Sequence, residues 1–148
     1  MPSFAFWHKW LLVVGIANIG IGLVIALAPG SFLFAPHTEA IADVFFEGHL
    51  TEAAEELRTF LFGILGGTLA GYFFLQTLIV WIPFRKRQRW AWHAVAWVLL
   101  LWFVVDSSLS IYHGALFNVW MINVWALLLI GVPLMMTYTE FRASSELD

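Results

Sequence analysis

Four long, mainly apolar runs dominate this sequence and restrict what it can fold into. They cover about residues 6–28, 51–82, 90–112 and 115–138, and each is long enough for a helix that crosses the ~30 Å hydrocarbon core of a bilayer. Hydrophobic residues make up 61% of the chain and charged residues only 11%, whereas soluble domains carry roughly 25% charged residues. We therefore predict an all-α polytopic membrane protein, a four-transmembrane-helix bundle that forms a single domain over residues 1–148.

Start and stop signals lie between these runs. Pro29 and Gly30 end the first run, and Thr51 is a suitable N-cap for the second. Pro83 is expected to end the second helix, and Gly114 marks a tight turn between the third and the fourth. The connections between the last three runs are therefore short.

The segment over residues 31–50 is different, because it mixes apolar and acidic residues. Pro36 suits the first position of a helix and Gly48 suits its C-terminal cap, so the pattern predicts a short amphipathic helix over residues 37–47. We expect this helix to lie on the outer membrane surface. A loop packed over the mouth of the bundle is the alternative.

The basic residues predict how the bundle is oriented. Six of the seven fall on one side of a four-span arrangement, and Arg58 alone falls on the other, among acidic residues. Lysine and arginine are retained on the cytoplasmic side of short loops. We expect both chain ends to be cytoplasmic and the protein to lie in a bacterial inner (cytoplasmic) membrane. The six residues are Lys9, Arg85, Lys86, Arg87, Arg89 and Arg142.

Glycines recur at helical spacing in the second run. Gly63, Gly67 and Gly71 lie four residues apart with Gly66 and Ala70 beside them, and the first run contains a looser set in Gly15, Gly22 and Ala26. Small residues on one face allow two membrane helices to approach closely. We predict that these two faces pack against each other within one chain, and a homo-oligomeric interface is the alternative.

Asp106 is the most informative single residue, since an aspartate within a span costs roughly 2.5–3.5 kcal/mol on insertion and needs a partner. At 1.5 Å per residue it lies about 24 Å from the inner interface, level with Asn123 of the fourth run. Arg58 lies roughly 12 Å higher than Asp106. A direct ion pair between them would therefore need a tilted helix or an extended arginine side chain. We expect a polar cluster, which is either a ligand pocket or a buried network that fixes helix packing. Its members are Arg58, Asp106, Ser110, His113 and Asn123.

Cofactor sites are weakly indicated. His8 and His93 lie near the inner ends of the first and third runs, which is the arrangement that a bis-histidine haem requires. Their positions are also typical of histidines at a membrane interface, so we predict no cofactor and no metal, with haem as a remote alternative.

Several function classes are excluded or unsupported. The absence of cysteine excludes thiol redox chemistry, and a net charge of −3 argues against nucleic-acid binding. The sequence contains no nucleophile elbow, phosphate-binding loop or HExxH motif. We therefore expect a protein that is not an enzyme.

A resemblance to a known family rests on scattered residues. The pattern of Leu57-Arg58, Gly63 and Gly67, Trp90-Ala91-Trp92, Asp106 and Gly131-Val132-Pro133-Leu134 resembles small bacterial four-helix membrane proteins of the DoxX-like kind. It covers about half of the chain. The resemblance implies a membrane partner of oxidoreductases, with a quinone-facing or anchoring role.

Three functional hypotheses follow from these observations. The first is an accessory or anchoring subunit of a membrane complex, with membrane lipid and other subunits, or further copies of the chain, as its partners. The second is a binding or transport module that takes a lipophilic or cationic ligand into an outer-leaflet pocket around Asp106. The third is an electron-transfer bundle with haem at His8 and His93.

Overall fold

The computed structural model describes residues 3–143, and within that range every regular element is a helix, as predicted. Four of the helices are long and apolar enough to cross a membrane. A short fifth helix lies between the first and second of them. In chain order the helices are α1 (Phe4–Leu27), α2 (Ala35–Phe45), α3 (Glu52–Phe84), α4 (Arg89–Tyr112) and α5 (Leu116–Arg142).

Local hydrogen bonds explain where these helices begin and end. The hydroxyl oxygen of Thr51 accepts a hydrogen bond from the backbone N–H of Ala54 at 3.3 Å, which caps α3. Beyond α2, Gly48 adopts a φ of +87° and its N–H donates to the carbonyl of Ala42. Gly114, with a φ of +72°, reverses the chain between α4 and α5.

Two helices differ from the sequence-based prediction. α2 covers Ala35–Phe45 rather than residues 37–47, and it packs across one end of the bundle, where Phe45 contacts His113, the residue that follows α4. Pro83 does not end the second span, and the last span likewise continues through Pro133. Pro83 lies inside a π-helical turn and Pro133 follows one, and such a turn lets the helix continue past the missing N–H.

The bundle has two distinct ends. α1 packs along α3 and also contacts α5, and α4 packs on α5. At the end opposite α2, the rings of Phe4, Phe84 and Phe141 form a cluster that joins α1, α3 and α5. Arg87 covers Phe4 and binds the carboxylate of Glu140 at 3.1 Å. We call this the basic end and the opposite one the α2 end.

The closest helix contact joins α1 to α3 through small residues. A Cβ added to Gly22 would lie 2.7 Å from the backbone nitrogen of Ala70. A Cβ added to Gly66 would collide with the backbone of Ala26. The two helix backbones therefore touch, and only glycine fits at these positions.

The predicted glycine face of α3 was wrong by one position. Gly67 and Gly71 have open space where a Cβ would be, and Gly63 lies at the margin of the contact, 3.8 Å from the Ala26 carbonyl. In α1, Gly15 and Gly22 do lie against α3. The glycine that contacts α1 is Gly66, three residues after Gly63. The regular four-residue spacing of Gly63, Gly67 and Gly71 pointed instead to the neighbouring face of the helix.

Gly66 and Gly67 give a matched pair of substitutions. Gly66→Leu forces α1 and α3 apart and should lower the unfolding free energy by about 1–3 kcal/mol or more. Gly67→Leu adds the same side chain one residue later, where there is room, and should leave stability unchanged. Thermal unfolding of the two purified variants in detergent measures the difference. Equal melting temperatures would contradict the helix register described here.

Candidate functional site

A polar network lies between α4 and α5 toward the α2 end. The Oδ2 atom of Asp106 accepts hydrogen bonds from the side-chain amides of Asn118 and Asn123, both at 2.7 Å. The Asn118 amide also donates to Ser110 at 2.9 Å, and the Asn123 amide donates to Ser107 at 3.0 Å. We call these five residues the Asp106 network. It ties two helices together through charge-assisted hydrogen bonds.

A π-helical turn explains how both asparagines reach one carboxylate. Residues five apart on an α-helix lie about 140° apart around the axis, so Asn118 and Asn123 would face different directions. The segment Val119–Asn123 instead forms a π-helical turn, in which the wider spiral places residues five apart on nearly the same face. The irregular turn therefore builds the network.

His37 of α2 continues this polar group toward the surface. Its ring packs between Phe62 and Phe117, with ring centroids 5.6 and 5.3 Å away. Burial lowers the pKa of His37 and the nearby Arg58 lowers it further, while the polar side chain of Asn118 opposes both. The imidazole is therefore neutral at neutral pH.

Arg58 does not pair with Asp106, which corrects the interaction considered from the sequence. Its side chain is 7% exposed and binds both carboxylate oxygens of Glu55, with an Nε–Oε2 distance of 2.9 Å. The guanidinium also lies over the ring of Phe62, 5.2 Å from its centroid. Glu55 is one helical turn away on the same face, so the pair forms without crossing the bundle.

The structure brings together only part of the predicted cluster. Asp106, Ser110 and Asn123 belong to one network, whereas the hydrogen bonds of the Arg58 side chain go to Glu55, outside it. His113 is exposed and packs on Phe45, outside the network.

Sequence reasoning missed Asn118, Ser107 and His37 as members of this group. Asn118 and Asn123 are five residues apart, which places them on different faces of an α-helix, so the sequence did not predict that both contact Asp106. Ser107 directly follows Asp106, and this adjacency could have identified it as a neighbour of the carboxylate. His37 lies in a separate short helix, and only the packing of α2 over the bundle brings it near.

Three buried polar atoms without partners lie toward the same end of the molecule. Within residues 3–143, five buried side-chain polar atoms have no hydrogen-bond partner, and three of them lie toward the α2 end: Arg58 Nη1, His37 Nδ1 and Asn123 Oδ1. The other two, Trp7 Nε1 and Gln76 Nε2, lie nearer the basic end. Buried polar groups are nearly always paired with protein, water or ligand. These three atoms therefore indicate where a further polar group fits.

A pocket of about 240 Å³ opens beside Arg58. It lies between α2, the linker that precedes it and the first turns of α3, and it carries two acids and one arginine. Its lining residues are Pro29, Gly30, Ser31, Phe32, Ala35, Thr38, Glu39, Glu55 and Arg58. We call it the α2 pocket.

The two histidines considered for haem each contact a backbone carbonyl. His8 Nε2 lies 3.1 Å from the carbonyl oxygen of Val80, and His93 Nδ1 lies 2.9 Å from that of Arg89. In the described part of the chain, no group of three or more histidine, cysteine or acidic side chains is arranged to hold a metal ion.

No protein-family model, curated protein or solved structure matches this chain. The functional argument therefore depends on the geometry alone.

Two substitutions at Asp106 separate charge from hydrogen bonding. Asp106→Asn keeps an oxygen that accepts from both asparagines, and no cation is left unpaired because Arg58 binds Glu55, so stability should stay within about 1 kcal/mol. Asp106→Leu removes the acceptor, and each amide left without a partner should cost about 1–3 kcal/mol. Thermal unfolding in detergent measures both. A large loss in Asp106→Asn would show that the charge itself neutralises a cation.

Proposed function

We propose that this chain is a multi-pass protein of a bacterial inner membrane and serves as a non-enzymatic accessory or anchoring subunit of a membrane complex. The apolar surface of its four long helices supports insertion into a bilayer. Large apolar side chains point outward along these helices, among them Ile16, which is 62% exposed, and Leu101, which is 67% exposed. A surface of this kind is stable against lipid chains and not against water.

The distribution of charge supports an orientation with both chain ends in the cytoplasm. Arg87 and the other basic residues of the α3–α4 turn lie at the basic end, beside Phe4 of α1 and Glu140 of α5. Basic residues near the ends of spans are retained in the cytoplasm. The acidic residues of α2 then face the opposite compartment.

Single cysteines test insertion and orientation together. The sequence contains no cysteine, so Lys86→Cys and Asp43→Cys each introduce the only thiol. A membrane-impermeant maleimide should label position 43 from outside intact cells and position 86 only after the membrane is opened. Labelling of position 86 in intact cells would contradict the orientation, and equal labelling of both would contradict insertion.

The observation that carries the accessory role is the outward face of α3. Gly67 and Gly71 have open space above them, with Gly63 at the edge, while the large side chains of Ile64 and Phe74 flank the face. Such a strip of bare backbone allows a second transmembrane helix to approach closely. We propose that a helix from another subunit packs there.

A photo-crosslinking amino acid at position 67 tests this contact in native membranes. It should form a discrete covalent adduct with a partner polypeptide, whereas the same group at position 101 on α4 serves as the control that faces lipid. Gly67→Leu should abolish co-purification of the partner without changing the stability of the isolated chain. An adduct with the mass of two copies would contradict the accessory role and indicate a homo-oligomer.

A second candidate function is the binding of an amphiphilic ligand at the α2 end. It is favoured by the α2 pocket and by Arg58, which lines that pocket and has an unpartnered buried Nη1 atom. The ligand site expected around Asp106 moves toward the surface in this proposal, because the Asp106 carboxylate is already bound by two amides. The resemblance to DoxX-like proteins adds no residue to either candidate.

A further inference from the structure

The α2 pocket combines a small volume with opposite charges. At about 240 Å³ it is smaller than the 300–1,000 Å³ typical of pockets for drug-sized ligands. It suits a ligand that places one compact polar group in the pocket while the rest of the molecule stays outside. A lipid headgroup has these properties, since its acyl chains stay in the bilayer.

One side of the pocket is built to accept hydrogen bonds from a cation. Glu39 is exposed and, among residues 3–143, forms no ion pair. Thr38 also lines the pocket and donates its hydroxyl hydrogen to the carbonyl of Phe34 at 3.0 Å, so its oxygen is left to act as an acceptor. A carboxylate and a hydroxyl oxygen together favour an ammonium group that carries N–H donors.

The other side offers donors to an anion. Ser31 Oγ accepts from the N–H of Leu33 at 3.4 Å, which leaves its own O–H free to donate. Arg58 lines the pocket and is more than nine-tenths buried. Its Nε and Nη2 atoms bind Glu55, and its Nη1 atom has no partner among residues 3–143 but lies behind the pocket surface, so a phosphate reaches Nη1 only when the side chain shifts. A phosphate oxygen is the acceptor that a guanidinium group binds best.

Apolar side chains fix the level of the pocket relative to a bilayer. Phe32 lines the pocket and is 83% exposed, and Leu27 and Leu33, which are close to it in the chain, are 82% and 60% exposed. Side chains of this size at the end of a spanning helix insert into the boundary between headgroups and acyl chains. The pocket entrance then lies in the headgroup layer.

We propose that the α2 pocket binds the headgroup of phosphatidylethanolamine, an inference that rests on the proposed insertion of the chain into a membrane. Glu39 and Thr38 accept from the primary ammonium, and Ser31 and Arg58 donate to the phosphate. Phosphatidylcholine has no N–H on its quaternary ammonium. Phosphatidylglycerol has no cation, and its net negative charge meets the carboxylates of Glu39 and Glu55.

Native mass spectrometry of the full chain in detergent tests the assignment. Phosphatidylethanolamine, phosphatidylcholine and phosphatidylglycerol with identical acyl chains are added in turn, and the bound fractions give apparent Kd values. Phosphatidylethanolamine should bind about tenfold more tightly than either of the others, which corresponds to ~1.4 kcal/mol for the added hydrogen bonds to a charged group. Equal binding of all three lipids, or tighter binding of phosphatidylglycerol, would overturn the proposal.

Two acids on the same helix give a matched pair of variants. Glu39→Gln should reduce phosphatidylethanolamine binding to the level of phosphatidylcholine, whereas Asp43→Asn, which removes an acid outside the pocket, should not. Ser31→Ala should weaken the binding of all three lipids, because each carries a phosphate. Identical affinities for Glu39→Gln and Asp43→Asn, measured on proteins with unchanged melting temperatures, would overturn the role of Glu39.

Soluble phosphoethanolamine identifies the source of the headgroup. Millimolar concentrations should fail to displace the lipid, because the soluble compound lacks the acyl chains that hold the headgroup at the entrance. Displacement would overturn the assignment to a membrane lipid. Cysteine labelling reports insertion separately, so normal topology without lipid preference would contradict this inference alone.

Discussion

An apolar helix surface offers no hydrogen-bond partner, so each polar atom inside this bundle depends on its own helix or on a neighbour. Most polar side chains form their hydrogen bonds within their own helix. Asn18 donates to the carbonyl of Val14 at 2.8 Å, and Thr77 donates to that of Phe73 at 2.7 Å. Bonds of this kind fix no tertiary contact. The few polar bonds between helices therefore determine how the helices are placed along one another.

One such bond between helices is accepted by the backbone carbonyl of Leu129, one turn before Pro133. In a regular helix the N–H of residue 133 would donate to the carbonyl of Leu129, and proline lacks this N–H. The indole N–H of Trp10 on α1 donates to that carbonyl instead, at 3.0 Å. A second indole, from Trp92 of α4, donates to the carbonyl of Leu134 at 2.9 Å. Three helices are thus held in register beside one proline, which explains why the Gly131–Pro133 segment does not break α5.

The sequence predicted the helices well and their contacts poorly. Apolar length and turn residues such as Thr51 and Gly114 are local signals, and they placed every long helix to within a few residues. Which face of α3 meets α1 depends on the partner helix, so the choice between Gly66 and Gly67 was not local. The Asp106 network required a π-helical turn over Val119–Asn123, for which the sequence has no recognised signal.

The two halves of the bundle also limit what a ligand at the α2 end can do. The basic half is filled by buried apolar side chains from all four long helices, including Leu11, Val80, Ala91, Leu134 and Phe141. A polar group that crossed this region would lose its hydrogen bonds without replacement, at a cost of several kcal/mol. The charged side chains of Arg58 and Asp106 instead lie toward the opposite end. The buried polar residues nearer the basic end, Gln76 and Thr137, bond within their own helices. If the proposed ligand enters at the α2 end, it would therefore leave by the same side, so the proposed binding or anchoring role fits this packing better than transport through a single copy of the chain.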